Sequence, residues 1–363
     1  MDYQISPSLT VKPLDKYFIE SQPSPVKGDT LIVTSPSVEN IQAVTKTIEY
    51  FRSADTIDVT EICHISPEGP IQELEQITSS HKAPDHIIAI GGGSVVDASK
   101  VLSVAWNGVS ISDMFYKKAE MPTQKIQVTA VPTTAGTGAE LSHGAIVFDR
   151  ETSQKGGIRG SILQPEAVVI DSRLHKNAPA RLIAETGFDC LTHAIETYCS
   201  KATNAIARYQ SVRAVEVVLS NLNSAVQGNL NALERLAISA SFMGINLAYS
   251  RTCLPHRIQY VIGPFTKTSH AQGLIMLYRG WLPLIAKKTA FKSLEKDLGK
   301  KNNELISDIQ KLKSSLSIDY KLGDYGVEED DVEKLTQQVG GSVELDPCFE
   351  NSNTIKQIIL DSI

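Results

Sequence analysis

Asp189 and His193 stand four residues apart in the stretch Gly187-Phe188-Asp189-Cys190-Leu191-Thr192-His193-Ala194-Ile195-Glu196, and His256 and His270 follow at a distance. On a helix that spacing puts both side chains on one face, close enough to reach a single cation. The two later histidines lie on either side of Gly263-Pro264, read here as a break between them. Three neutral imidazoles and one carboxylate make a four-coordinate shell suited to a borderline divalent ion, Fe²⁺ or Zn²⁺. Taken singly, the same residues also fit a helix-end acid and satisfied core histidines, and spacing alone does not choose between the two.

Two further segments carry chemistry of another kind. Gly91-Gly92-Gly93-Ser94-Val95-Val96-Asp97-Ala98-Ser99-Lys100 follows an apolar run and opens a helical one. Glycines there let the backbone approach a ligand, and the free N–H groups of a helix start point at an anion. The spacing is not that of the Gly-x-Gly-x-x-Gly fingerprint, and a tight strand-to-helix turn would use the same residues. Val131-Pro132-Thr133-Thr134-Ala135-Gly136-Thr137-Gly138-Ala139-Glu140 is a second small-residue loop, whose hydroxyls and amides suit a phosphate, ribose or carboxamide. Two such loops after strands of one sheet are expected where a dinucleotide crosses the sheet's crevice.

Elements able to position these groups are legible around them. Thr30–Thr34, Thr56–Val59, His86–Ile90, Gln127–Pro132, Ile146–Phe148 and Ala167–Ile170 read as strands. Helical stretches run from Val38 to Arg52, from Pro70 to Ser80 and from Asp97 to Ala105. That alternation means a parallel sheet covered by helices. Beyond Leu182 helical periodicity dominates, over Ile206–Ser224, Leu230–Ala248, Leu274–Ala290, Asn303–Leu316, Glu328–Gln338 and Ser352–Ile363. The expected architecture is an α/β dinucleotide-binding domain with a parallel sheet over residues 1–178, followed by an all-α metal-binding domain over 179–363.

Composition narrows the class. A net charge of −6 argues against a nucleic-acid partner, since phosphate contacts need a basic surface. No apolar run approaches the ~18 residues of a membrane helix. The opening Met1-Asp2-Tyr3-Gln4-Ile5-Ser6-Pro7 lacks a basic and then apolar leader pattern. Cys63, Cys190, Cys199, Cys253 and Cys348 are scattered and odd in number, which points to neither a disulfide framework nor a thiolate zinc site. A cytoplasmic protein is expected.

Gly91–Lys100, Pro132–Glu140 and Thr186–Tyr198 together resemble the three signature segments of the iron-containing (group III) alcohol dehydrogenase family, in that family's order and spacing. The resemblance implies that Asp189, His193, His256 and His270 bind the metal. By the same resemblance Gly92, Gly93, Ser94 and Asp97 form the pyrophosphate loop, Thr133, Thr134 and Thr137 the nicotinamide-side loop, and Lys155 reaches the cofactor ribose. It also implies a homodimer formed through the first domain. Two positions depart from the family pattern. Tyr260 stands where relatives usually carry a proton-relay histidine, and a phenol, with a reference pKa of ~10, is the weaker acceptor at neutral pH. Ser35 stands where NAD-preferring relatives often place an aspartate, which leaves both NAD and NADP open. The implied reaction is hydride transfer between a small-molecule alcohol and its carbonyl partner, at a site between the domains. Arg257, Lys267 and Arg279 raise a polar or anionic substrate, like that of the sugar-acid-oxidising branch. A dehydroquinate synthase-type lyase with recycled NAD, or a cofactor-binding homologue without turnover, are the other readings.

Overall fold

The computed structural model describes residues 7–21, 26, 28–53 and 57–363. Thr56, expected to open the second strand, and the Met1-to-Ser6 segment lie outside them. The chain divides into two compact units, Met1–Thr134 with Gly138–Ala178, and Ala135–Thr137 with Pro179–Ile363.

The first unit contains strands β1 (Ser8–Val11), β2 (Gly28–Thr34), β3 (Ile57–His64), β4 (His86–Gly91), β5 (Gln127–Pro132), β6 (Gly144–Asp149), β7 (Gln154–Arg159) and β8 (Ala167–Ile170). Its helices are α1 (Leu14–Phe18), α2 (Pro36–Glu39), α3 (Gln42–Ser53), α4 (Ile71–Ser80), α5 (Gly93–Ala105), α6 (Ile111–Phe115) and α7 (Ser172–His175). Six strands form one sheet in the order β1-β8-β5-β4-β2-β3, every neighbouring pair parallel. Parallel strands are covered on both faces, so their sequences read as near-continuous apolar runs. Alternation inside those runs then sorts side chains to opposite sides. Leu31, Val33, Ile87 and Ala89 join Leu74 of α4 and Val95, Ala98 and Val101 of α5. Ile32, Ile88 and Ile90 join Leu14, Phe18, Val44, Ile48 and Phe51 from α1 and α3. From β2 the sheet grows toward β3 on one side and β4 on the other. The carboxyl ends of β2 and β4 therefore flank a topological switch point, the usual ligand crevice of such sheets.

Two strands escape the sequence reading. β1 is a short polar edge (Ser-Leu-Thr-Val), and β7 carries a Gly156-Gly157 pair and forms an antiparallel ribbon with β6. The stretch expected as one helix from Val38 to Arg52 is broken at Asn40 and Ile41 into α2 and α3.

The second unit consists of α8 (Ala180–Cys199), α9 (Ala205–Val226), α10 (Leu230–Tyr249), α11 (Leu254–Thr266), α12 (His270–Ile285), α13 (Thr289–Asp297), α14 (Glu304–Ser315), α15 (Val332–Gln338) and α16 (Ser352–Leu360), with short 3₁₀ turns between some of them. Gly263-Pro264 does not break the chain, since α11 runs through it. Pro264 sits in the last turn, so it costs only the bond to the Tyr260 carbonyl, and the helix stops at Lys267 in the left-handed region. The stretch expected as one helix over Leu274–Ala290 is instead α12 and α13, separated at Ala286–Lys288. α12 begins four residues earlier than expected because Ser269 and Gln272 form a reciprocal capping box. No helix among the described residues is long and apolar enough to cross a membrane.

Close helix approach and buried polar nodes hold this unit. A Cβ on Gly187 of α8 would come within 2.3 Å of Leu222 Cδ1 on α9. Asn246 of α10 donates to Ser211 Oγ (3.1 Å) and the Ala207 carbonyl (3.0 Å) of α9, and to Thr197 Oγ1 (3.3 Å) of α8. The fully buried Asp346 accepts from Leu254 N (2.8 Å) at the start of α11, Trp281 Nε1 (2.8 Å) of α12 and Cys348 N (2.6 Å). Gly280 lets α12 lie directly on α16, where a Cβ would meet the Ile358 carbonyl oxygen at 2.2 Å. Backbone cannot yield as a flexible side chain can. Gly280→Ala is therefore expected to destabilise the protein by about 1–3 kcal/mol through overpacking. A lowered urea midpoint followed by helical circular dichroism would report it.

Candidate functional site

The glycine loop and the start of the threonine loop lie at the carboxyl ends of neighbouring strands of the α/β sheet. Gly92 is the N-cap of α5, and no side chain caps that helix start. A Cβ on Gly92 would come within 3.4 Å of Thr134 Oγ1, and Thr133 N donates to the Gly91 carbonyl at 2.9 Å. The glycine and threonine loops therefore lie side by side at the ends of the paired strands β4 and β5. Ser35 follows β2, across the switch point, with its hydroxyl 3.3 Å from Ser37 Oγ. Ser94 Oγ accepts from Glu68 N (3.0 Å), and Lys155 Nζ pairs with Glu68 Oε1 (2.6 Å). Glu68 thus brings Lys155 to the glycine loop from β7, a strand with no alternating apolar pattern to announce it.

Asp97 serves this loop from behind. Its Oδ2 accepts from Ile146 N (2.9 Å), and its Oδ1 pairs with Lys100 Nζ (3.1 Å). Lys100 is completely buried and also donates to the Ala139 carbonyl (2.8 Å), Ser142 Oγ (3.0 Å) and the Gly144 carbonyl. A buried ammonium needs a counter-charge, and Asp97 supplies it. The Asp97 carboxylate braces α5 against β6 and the segment after the threonine loop.

Within the helical unit α8, α11 and α12 bring the four presumed ligands together. One donor atom each from Asp189, His193, His256 and His270 falls in a group spanning no more than 4.8 Å. His193 Nε2 lies 3.5 Å and His256 Nε2 3.8 Å from Asp189 Oδ1, and the His193 and His256 ring centroids are 4.6 Å apart. Burial pulls both imidazoles well below their usual pKa. The Arg257 guanidinium adds to this for both, and for His193 so does the His256 ring. They are neutral at physiological pH and carry lone pairs. The tripeptide Ala135–Thr137 belongs to this unit, and a Cβ on Gly136 would lie 3.4 Å from Asp189 Oδ2.

Two side chains that the sequence reading did not single out set the direction of those lone pairs. Glu196, fully buried on α8, meets His256 Nδ1 at 2.9 Å through both carboxylate oxygens and accepts from Cys253 N at 2.7 Å. Burial pushes the Glu196 carboxyl up to about 8, with the Cys253 amide and Arg257 pulling the other way. A proton on Nδ1 can be donated to either oxygen of this group, which leaves the Nε2 lone pair toward the cluster, and that buried nitrogen has no hydrogen-bond partner. Gln259 does the same for His270, whose Nδ1 lies 2.6 Å from Gln259 Oε1. Glycines leave the room for Gln259, since a Cβ on Gly273 would strike its Cγ at 2.8 Å and one on Gly263 its Nε2 at 2.7 Å. A buried imidazole nitrogen aimed without a partner at a carboxylate and two more imidazoles fits a divalent metal, Fe²⁺ or Zn²⁺ by donor chemistry. The signal for Glu196 was present in the sequence, because 189, 193 and 196 follow the i, i+4, i+7 pattern of one helix face.

Tyr260 lies one turn beyond His256, its ring stacked on His270 with centroids 6.3 Å apart and planes at 23°. The Arg257 guanidinium covers the same phenol at 4.7 Å. Lys267 and Arg279 are exposed.

A family model described as iron-containing alcohol dehydrogenase matches residues 19–172, and one for the Fe-containing alcohol dehydrogenase family, C-terminal, matches residues 183–361. The chain belongs to the iron-containing alcohol dehydrogenase family. Among curated members it is 28% identical to aldehyde-alcohol dehydrogenase 2 of Entamoeba histolytica over 281 residues, 74% of this chain but only 31% of that protein. It is also 28% identical to lactaldehyde reductase of Escherichia coli over 270 residues, 70% of each chain. The structure of sulfoacetaldehyde reductase from Bifidobacterium kashiwanohense in complex with NAD⁺ shares the fold, with a TM-score of 0.88 at 20% identity, covering 99% of this chain and 97% of that one.

If Glu196 fixes the His256 tautomer, Glu196→Gln should weaken metal retention by about 10- to 100-fold while the protein stays folded. Titration against a fluorescent chelator measures it, and unchanged retention would reduce Glu196 to a packing residue.

Proposed function

We propose that this chain is a metal-dependent, NAD(P)-linked alcohol dehydrogenase that interconverts an alcohol and its aldehyde or ketone by hydride transfer. The observation that carries the reading is the buried His256 Nε2, held by Glu196 and directed without a partner into the Asp189, His193 and His270 group. When bound, the metal supplies Lewis-acid polarisation of the substrate oxygen, and the dinucleotide supplies the hydride donor or acceptor.

The protein's own part is to bind, orient and neutralise. Asp189 contributes the single negative charge of the ligand group, so a divalent ion there keeps a net positive charge. Gly92, Gly93 and Ser94 offer an uncapped helix start to the pyrophosphate, and Lys155, tethered through Glu68, reaches the cofactor ribose in this reading. Thr133, Thr134 and Thr137 face the nicotinamide half in this reading. Tyr260 shapes the pocket wall beside His270, and the reaction proton leaves through water or the cofactor ribose. Lactaldehyde reductase among the relatives supports a small, polar carbonyl substrate. We further propose a homodimer formed through the α/β unit, and a cytoplasmic location that suits five buried cysteines outside any disulfide.

Metal analysis of the purified protein, joined to an alcohol and aldehyde panel with NAD⁺ and NADP⁺, tests the core of this reading. Asp189→Asn and His256→Ala should lose metal and activity together, and activity surviving in metal-free Asp189→Asn protein would refute it. At Ser35 no carboxylate opposes a 2′-phosphate. Ser35→Asp should therefore lower kcat/KM with NADP⁺ relative to NAD⁺ by about tenfold, the effect of ~1.4 kcal/mol of like-charge repulsion.

A further inference from the structure

We propose that Arg257 and Tyr260 form a subsite for an oxyanionic group on the substrate, so that the enzyme prefers alcohols and aldehydes bearing a carboxylate, sulfonate or phosphonate. This rests on the dehydrogenase reading above and adds the recognition element that reading lacks.

Arg257 is partly buried with unused donors. Arg150, Arg173, Arg181 and Arg213 have side chains 42% or more exposed, yet each pairs with a carboxylate. Arg257 is half-buried and has no acidic side chain within ion-pair distance among the described residues. Its one hydrogen bond runs from Nη2 to Thr252 Oγ1 at 3.0 Å, while its Nε is buried without a partner. The turn at Gly341 covers it, since a Cβ there would lie 3.5 Å from Nη1. The fully buried Glu196 carboxyl feels the Arg257 charge without pairing with it, and a fork with unused donors suits a bidentate oxyanion.

The cation's placement says whose oxyanion it is. Arg257 is the next residue after His256, its guanidinium covers the Tyr260 ring at 4.7 Å, and that ring stacks on His270. The charge is thus connected, ring to ring, to the group where the substrate oxygen would bind. A tyrosine at 260 serves this arrangement better than the relay histidine of the family pattern. A phenol offers its face to a cation, whereas an imidazole that picks up a proton repels one. Lys267 and Arg279 are exposed and have no such connection.

The test compares 4-oxobutanoate with butanal, and 4-hydroxybutanoate with inorganic sulfate, on the metal- and cofactor-loaded enzyme. Wild type should favour 4-oxobutanoate in kcat/KM. Arg257→Met should lower the ratio of acidic to neutral turnover by about 100-fold, the scale of hydrogen bonds to a charged group. Arg257→Lys, which keeps the charge without the fork, should lower it by about tenfold, and unfolding midpoints verify that both variants are folded. Calorimetric binding of 4-hydroxybutanoate should weaken in parallel. Equal wild-type turnover of the two aldehydes, or a ratio unmoved in both variants, overturns the subsite. Sulfate binding at Arg257 without preference for the acidic substrate also overturns it, leaving a free-anion site. If neither aldehyde reacts but 4-hydroxybutanoate binds in an Arg257-dependent way, the subsite stands and the dehydrogenase reading fails.

Discussion

A buried imidazole offers its lone pair in a fixed direction when its other nitrogen is held from behind, as it is for His256 and His270. That constraint organises the helical unit. Glu196 behind His256 and Gln259 behind His270 choose which nitrogen faces the Asp189 carboxylate, and each of these supports is itself buried and must be paid for in packing. Gly263 and Gly273 remain without side chains because Gln259 fills their space. The Cys253 amide that satisfies Glu196 is the N-cap residue of the helix carrying His256. The supports and the ligands are therefore parts of the same helix contacts, and a shift in one helix misdirects a lone pair on another.

The α/β unit solves a different problem with different means. Its loops must present backbone N–H groups, so the rigidity has to come from elements that do not touch the ligand. The buried Lys100 ties the Ala139–Gly144 segment to α5, and Asp97 balances its charge while holding Ile146. A lysine and an aspartate that look like ligand-facing residues in a glycine-rich motif are here its internal scaffolding.

What the amino-acid order made legible divides along a physical line. Apolar runs such as His86–Ile90 and Ala167–Ile170 announced their strands because a sheet covered on both faces needs them. Ser8–Val11 and Gln154–Arg159 did not, because an edge strand and a two-stranded ribbon are held by backbone pairing with little burial. α11 was obscured by Pro255, Gly263 and Pro264, residues tolerated at its two ends. The four residues of the metal group were readable from type, spacing and family pattern. Glu196 shares the helix face of Asp189 and His193, but its partner on α11 is not local, and Gln259 had no local signal because its importance lies in a contact between helices. Arg257 was visible as a basic residue, but its lack of a carboxylate partner is a tertiary fact.

The placement of β1 carries a consequence for how the molecule is made. Among the described residues its partner in the sheet is β8, aligned Ser8 with Ala167 through Val11 with Ile170, and the adjoining Leu14 amide is bound by Asp171. β1 therefore leaves the ribosome well before its partner β8 and waits for it. At roughly 5–20 residues per second, that wait is on the order of ten to thirty seconds. A polar, four-residue strand is well suited to it, because a longer apolar edge would spend that interval as a template for other nascent chains.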